Sequence, residues 1–207
     1  MTCTNTAQGH LDCLKYLHEQ SLAEGENGCP WDEGAFEFAA QGHLECLIYL
    51  HNNGCPWDDE AFKNAAQGHL DCLKYLNEKS LAEGQQNYLR DATICQCAAQ
   101  GYLDCLKYLR EESLIENKNY YPWDEIVYQT AAHGHLDCLI YLHENGCPWD
   151  KTACQCAAHG HLDCLIYLHE NGCPWDKTAC ENAAKGHLDC LKYIREQSSA
   201  EDKKCIP

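Results

Sequence analysis

The sequence predicts an all-α solenoid of seven stacked helix-turn-helix repeats, and three observations predict it. The triplet Gly-His-Leu begins at Gly9, Gly42, Gly68, Gly134, Gly160 and Gly186, with the variant Gly-Tyr-Leu at Gly101, so the motif recurs at spacings of 33, 26, 33, 33, 26 and 26 residues. Self-similarity at such a period is the mark of stacked supersecondary units. The stretch GHLDCLIYLHENGCPWDKTAC fills residues 134–154 and returns unchanged at 160–180. Counting from the Asp of CPWD, offsets +3, +4, +7 and +8 are small or apolar, which makes one stripe on a helix.

Each repeat reads as two short helices. The first begins at an N-cap, Asp32, Asp58, Asp91, Asp124, Asp150 or Asp176, a residue type whose carboxylate satisfies a free backbone N–H and stabilises by about 1 kcal/mol. Just before the cap stand Trp31, Trp57, Trp123, Trp149 and Trp175; four residues after it come Phe36, Phe62, Cys95, Tyr128, Cys154 and Cys180. An apolar residue before the cap paired with one at the fourth helical position is a hydrophobic staple. The Ala-Ala pair ends the first helix, and Gly42 and its equivalents suit a left-handed C-cap. The second helix runs Leu-Asp-Cys-Leu-Lys-Tyr-Leu, with its acid in the first turn, where the helix dipole favours it. It closes at Asn-Gly, a C-cap signal. The longer repeats carry about seven extra residues after this helix, near 20–26, 79–85 and 112–118. Seven residues are about two helical turns, so the insertion is either a helical extension or a surface loop.

The unit AAxGHLxCLxYLxxNG resembles the ankyrin repeat, AAxxGHLxVVxLLLxxGA, and the resemblance covers essentially the whole chain. It is similar above all to the CPWD-bearing ankyrin-type repeats of protists and large DNA viruses. The central Cys stands where ankyrin repeats carry Val, the link between Ala-Ala and Gly-His is one residue shorter, and TPLH is missing. The resemblance implies an ankyrin-like α-solenoid whose β-hairpin fingers are reduced or absent, since Cys-Pro-Trp-Asp fills their place. The expected organisation is one domain over 1–207, with repeats at approximately 1–28, 29–54, 55–87, 88–120, 121–146, 147–172 and 173–207.

Composition narrows the function. The chain has 207 residues, 15 Lys plus Arg against 32 Asp plus Glu, and a net charge of −17. Nucleic-acid binding needs clustered basic side chains to displace counterions, so no nucleic-acid partner is expected. The charge suits solubility and basic partners. No apolar run reaches the length of a membrane span, and MTCTNTAQGH lacks the features of a signal peptide, so no membrane partner is expected. The expected location is a reducing intracellular compartment, cytoplasm or nucleus, an infected host cell's included, where thiols stay reduced.

The chain carries 18 cysteines. Cys13, Cys46, Cys72, Cys105, Cys138, Cys164 and Cys190 take an apolar position of the second helix, and reduced Cys behaves as a small hydrophobe. Equivalent residues of stacked helices lie about 8–10 Å apart, too far to share one zinc ion with bonds of about 2.3 Å or to form disulfides. Core packing is therefore expected, with no metal site and no cofactor. The nearest chelates are the i,i+4 pairs His143 with Cys147 and His169 with Cys173. Turn histidines such as His43 and His161 are expected to hydrogen-bond across their own inter-helix turn. His51, His143 and His169 sit at a helix C-terminus, where positive charge is favourable.

No nucleophile, base and donor converge in one place, and no phosphate loop, GxSxG, HExxH or CxxC is present, so no enzyme is expected. Specificity should then reside where repeats differ. Offsets +5 and +6 of the first helix give Glu37, Phe38, Lys63, Asn64, Gln96, Gln129, Thr130, Gln155, Glu181 and Asn182. The ankyrin resemblance puts first helices on a concave surface, so these residues are the candidate binding site of a protein partner, with Phe38 as the apolar anchor. The expected molecule is a monomer. Two alternatives stand beside it: a zinc- or redox-responsive Cys/His-rich protein, and an adaptor whose partner docks on the insertions.

Overall fold

A computed structural model describes residues 7–23, 33–82, 90–115 and 125–198. Every regular element among them is helical: α1 Leu11–Ala23, α2 Glu33–Ala40, α3 Leu44–Asn52, α4 Asp59–Ala65, α5 Leu70–Ala82, α6 Arg90–Gln100, α7 Leu103–Ile115, α8 Glu125–Ala131, α9 Leu136–Glu144, α10 Lys151–Ala157, α11 Leu162–Glu170, α12 Lys177–Ala183 and α13 Leu188–Gln197. The chain divides into two compact units, Met1–Thr93 and Ile94–Pro207.

Inside each unit the helices pack in two ways. Partners within a repeat touch, as α2 does α3 and α10 does α11; equivalent helices of successive repeats also touch, as α2 does α4 and α11 does α13. The stripe predicted for the first helix is the buried one: Ala61, Ala65 and Ala66 are fully buried beside Phe62, as are Ala153, Cys154, Ala157 and Ala158. Alanines let the first helices approach closely, and leucines fill the space behind them. Leu47, Leu50, Leu73 and Leu76 are wholly buried in the first unit, and Leu139, Leu142, Leu165 and Leu168 in the second. Each such side chain stabilises by roughly 1.5–3 kcal/mol relative to exposure.

The predicted caps hold at Asp58, Asp150 and Asp176, which accept from the backbone N–H of Glu60, Thr152 and Thr178. The fourth repeat differs: α6 already includes Asp91. There Leu89-Arg90 replaces Pro-Trp, and with it goes the proline that stiffens the approach to the helix. Gly42 and Gly134 take φ of 105° and 111°, the left-handed region expected of a C-cap. The insertions begin as helical extension. α1, α5 and α7 have 13 residues where α9 and α11 have 9, four more. Their remaining residues, with Asp32, Asp124, Trp31, Trp123 and Cys29, lie outside the described residues.

Candidate functional site

The residues at offsets +5 and +6 fall into two groups. Glu37, Phe38, Lys63, Gln96, Gln129, Thr130 and Gln155 are half-buried and Glu181 is exposed, whereas Asn64 and Asn182 are buried. Asn182 Nδ2 donates to the Gln155 carbonyl at 3.1 Å, and so ties α12 to α10. Gln155 in turn gives its amide to Asp176, at 3.0 and 3.1 Å from the two carboxylate oxygens. Lys151 adds an ion pair at 3.1 Å. Burial alone would raise the Asp176 carboxyl; the Lys151 ammonium and the Gln155 amide outweigh it and hold it below the ordinary carboxylate value. The repeat before thus supplies donors that favour the charged form of the next repeat's cap. Thr130 Oγ1 donates to the Val127 carbonyl, Lys63 pairs with Glu60, and Glu181 pairs with Lys177 at 2.9 Å. Asn182 and Gln155 therefore build the seam between repeats and Asn64 is buried, while the other candidates, and Gln155 in part, keep a face toward solvent.

The seam is also where the histidines go. Imidazoles of the turn do not serve their own turn: His43, His69, His135, His161 and His187 each lie on the turn glycine of the repeat before. A Cβ on Gly42 would come within 2.8 Å of His69 Nδ1, and one on Gly160 within 2.7 Å of His187 Nδ1. Glycine is required twice over there, by φ and by the ring. The histidines closing the second helix reach forward instead. His18, His51, His143 and His169 hydrogen-bond through Nδ1 to the hydroxyls of Tyr49, Tyr75, Tyr167 and Tyr193 at 2.8–3.0 Å. The CPWD tryptophans join them. Trp57 meets Phe62 at 5.8 Å, in keeping with a staple, while Trp149 and Trp175 stack on His143 and His169 at 4.0 Å.

Thiols fill the rest of the seam. Cys46, Cys72, Cys105, Cys138, Cys164 and Cys190 are buried. Burial pushes Cys72, Cys138 and Cys164 up to about 11, so at neutral pH they are protonated and weak as nucleophiles or ligands. The Cys72 thiol lies 3.9 Å from the Ala39 carbonyl and the Cys190 thiol 4.0 Å from that of Ala157. The Cys154 thiol donates to the Cys173 carbonyl at 3.8 Å and the Cys173 thiol to the Asp150 carbonyl at 3.2 Å; the neighbouring Cys173 thiol, with burial, raises Cys154. Among the described residues no three His, Cys, Asp or Glu side chains are arranged to hold a metal ion, and no helix is long and apolar enough to cross a membrane. A depression of about 250 Å³ is lined by Gly101, Gly134, His135, Leu136, Asp137 and Cys138; these are seam residues, copied in other repeats.

No family model matches the chain, and no curated protein matches it.

Proposed function

We propose that this chain is a non-catalytic protein-interaction scaffold of ankyrin type. A partner protein docks along the outer row of the first helices, on Glu37, Phe38 and Lys63 in one unit and on Gln96, Gln129, Thr130, Gln155 and Glu181 in the other. One observation carries the reading. The row varies among repeats and keeps a face toward solvent, while the recurring turn histidines, central cysteines and second-helix tyrosines are engaged in the seams inside each unit. A chemistry copied into every repeat and spent on its neighbours serves stacking. The changing row can select a partner, through a few anchors in a preformed surface. With a net charge of −17, that partner carries basic side chains, and its binding weakens with salt.

The test is capture of partners on the immobilised, reduced chain, followed by affinity measurement on variants of the second unit. Gln129→Arg with Glu181→Arg lowers affinity at least about tenfold, which is about 1.4 kcal/mol, with helicity unchanged. Glu144→Lys on the second helix leaves affinity within about threefold. Two results would sink the proposal: affinity that ignores the first-helix pair but vanishes when residues 79–91 give way to NGCPW, or about one tightly held zinc per chain whose removal melts the helices.

A further inference from the structure

Inside each unit, the seams between successive repeats are made of two unlike halves. The earlier repeat offers a turn glycine, the alanine before it and, in the first and fourth repeats, a second-helix lysine. The later repeat offers a turn histidine, the central cysteine and a tyrosine. The halves meet in the same way along the chain: His161 on Gly134 and His187 on Gly160, Cys72 against Ala39 and Cys190 against Ala157, Lys15 over the Tyr49 ring at 5.9 Å and Lys107 over the Tyr141 ring at 5.8 Å.

Two halves have no counterpart among the described residues. In the last repeat, Gly186 keeps the left-handed φ of 131° but a Cβ there would meet nothing within 4 Å. Leu188 is 59% exposed; its equivalents Leu44, Leu70, Leu136 and Leu162 are half-buried. Ala184 is exposed although Ala40, Ala66, Ala132 and Ala158 are fully buried. In the first repeat, Tyr16 is 61% exposed and Cys13 is exposed, whereas the central cysteines of the later repeats are buried. His10 is exposed as well. The open half in the last repeat is of the glycine kind and the open half in the first is of the histidine kind, so they are complements.

We infer that the open face of the last repeat receives the first repeat of a second copy, head to tail. His10 of the incoming chain sits on Gly186, its Cys13 turns to the Ala183 carbonyl, and Lys192 covers its Tyr16 ring. The contact repeats the seam already present between neighbours, and being heterologous it propagates as a filament unless the rotation closes. Like charge opposes it, since each chain carries −17. Salt therefore strengthens stacking between copies, whereas it weakens the partner binding proposed above, so the two readings fail separately.

Sedimentation velocity on the full chain, up to about 1 mM protein, where even weak contacts register, and in about 0.5 M salt to screen the charge, decides it. The expected mass rises with concentration. Leu188→Glu and Tyr16→Glu block opposite faces, so each alone sediments as a monomer. Their equimolar mixture gives dimers and stops there, because both outer ends of the pair are blocked. Alkylation of Cys13 in the Leu188→Glu chain slows at least about tenfold in that mixture, as expected when an exposed thiol becomes buried, while Cys13 of the Tyr16→Glu chain keeps its rate. A wild-type chain that stays monomeric throughout, oligomers that survive in either single variant, or a mixture that does not dimerise would each overturn the inference.

Discussion

The two compact units fill the same seam with different chemistry. Four residues after the cap position, the first unit carries Phe36 and Phe62 where the second carries Tyr128, Cys154 and Cys180. The tryptophan of the next repeat moves accordingly. In the first unit Trp57 stacks on Phe36 at 5.7 Å and meets His51 edge-on at 6.3 Å. In the second, Trp149 and Trp175 lie flat on His143 and His169 at 4.0 Å, and Tyr128 touches Trp149 only edge-on at 5.1 Å. Phe36 holds the next indole against its own ring. Where Tyr128 or Cys154 takes that position, the indole settles on the imidazole of the previous helix end. The backbone frame of caps and turn glycines is the same in both, so one repeat tolerates either an aromatic or a thiol interior provided the indole finds a flat partner.

The strongest break of this comparison is truncation at the variable position in each unit. Phe36 is fully buried, and its replacement by Ala removes a ring and leaves a cavity, a loss of about 3–5 kcal/mol. Cys154, also fully buried, loses one sulfur in Cys154→Ala, a loss of about 1 kcal/mol. Urea unfolding followed by helicity, with hydrogen exchange to assign the loss to a unit, measures both. Equal losses would mean that the ring and the thiol do not carry the different roles given to them.

Tyr128 sharpens the comparison in the opposite direction. It occupies the position of Phe36 and Phe62, is wholly buried, and its hydroxyl has no hydrogen-bond partner among the described residues. Burial pushes its ionisation far above the ordinary tyrosine value, so the group stays neutral and still lacks a partner. A buried, unsatisfied hydroxyl costs about 1–3 kcal/mol. Tyr128→Phe is thus expected to raise stability of the second unit by about 1 kcal/mol, read as a higher urea midpoint at unchanged slope. A lower midpoint would show that the hydroxyl is satisfied.

How far these features could be read from the sequence depends on the distance between cause and effect. The caps Asp58, Asp150 and Asp176, the turn glycines and the buried Ala-Ala pairs are local consequences of residue type, and periodicity alone placed them. The first four residues of each insertion continue an amphipathic helix and could equally have been a loop, because both choices keep the phase. What the sequence could not yield is which residues meet across a seam. His143 and Tyr167 are 24 residues apart, and only the stacking register pairs them. The turn histidines illustrate the same limit: reading one repeat at a time assigns His161 to its own turn, while the neighbouring repeat puts Gly134 beneath it. Asn182, chosen because its offset varies, belongs to the seam for the same reason, since a varying residue can face a varying neighbour.

The smallest expected effect concerns pH. Just before the turn glycine, the first unit carries Gln41 and Gln67 where the second carries His133 and His159. In the second unit the imidazoles gather: His133 lies 6.1 Å from His161, and His159 lies 6.0 Å from His187. Burial, and then neighbouring positive charge, holds His159 and His161 below the ordinary histidine value of 6.5. The unfolded chain therefore takes up protons near 6.5 that the folded chain refuses. Stability is complete above that value and declines as pH falls through 6.5, levelling off only below the depressed folded-state values. His69 in the first unit is shifted in the same direction, so both units weaken in acid and the second weakens more. The excess is under about 1 kcal/mol, because these rings remain largely in water. Hydrogen exchange at pH 7 and pH 5 reads the units separately, and His133→Gln with His159→Gln brings the second to the acid response of the first. An unchanged difference between the units after that substitution would assign the acid sensitivity to groups other than the paired imidazoles.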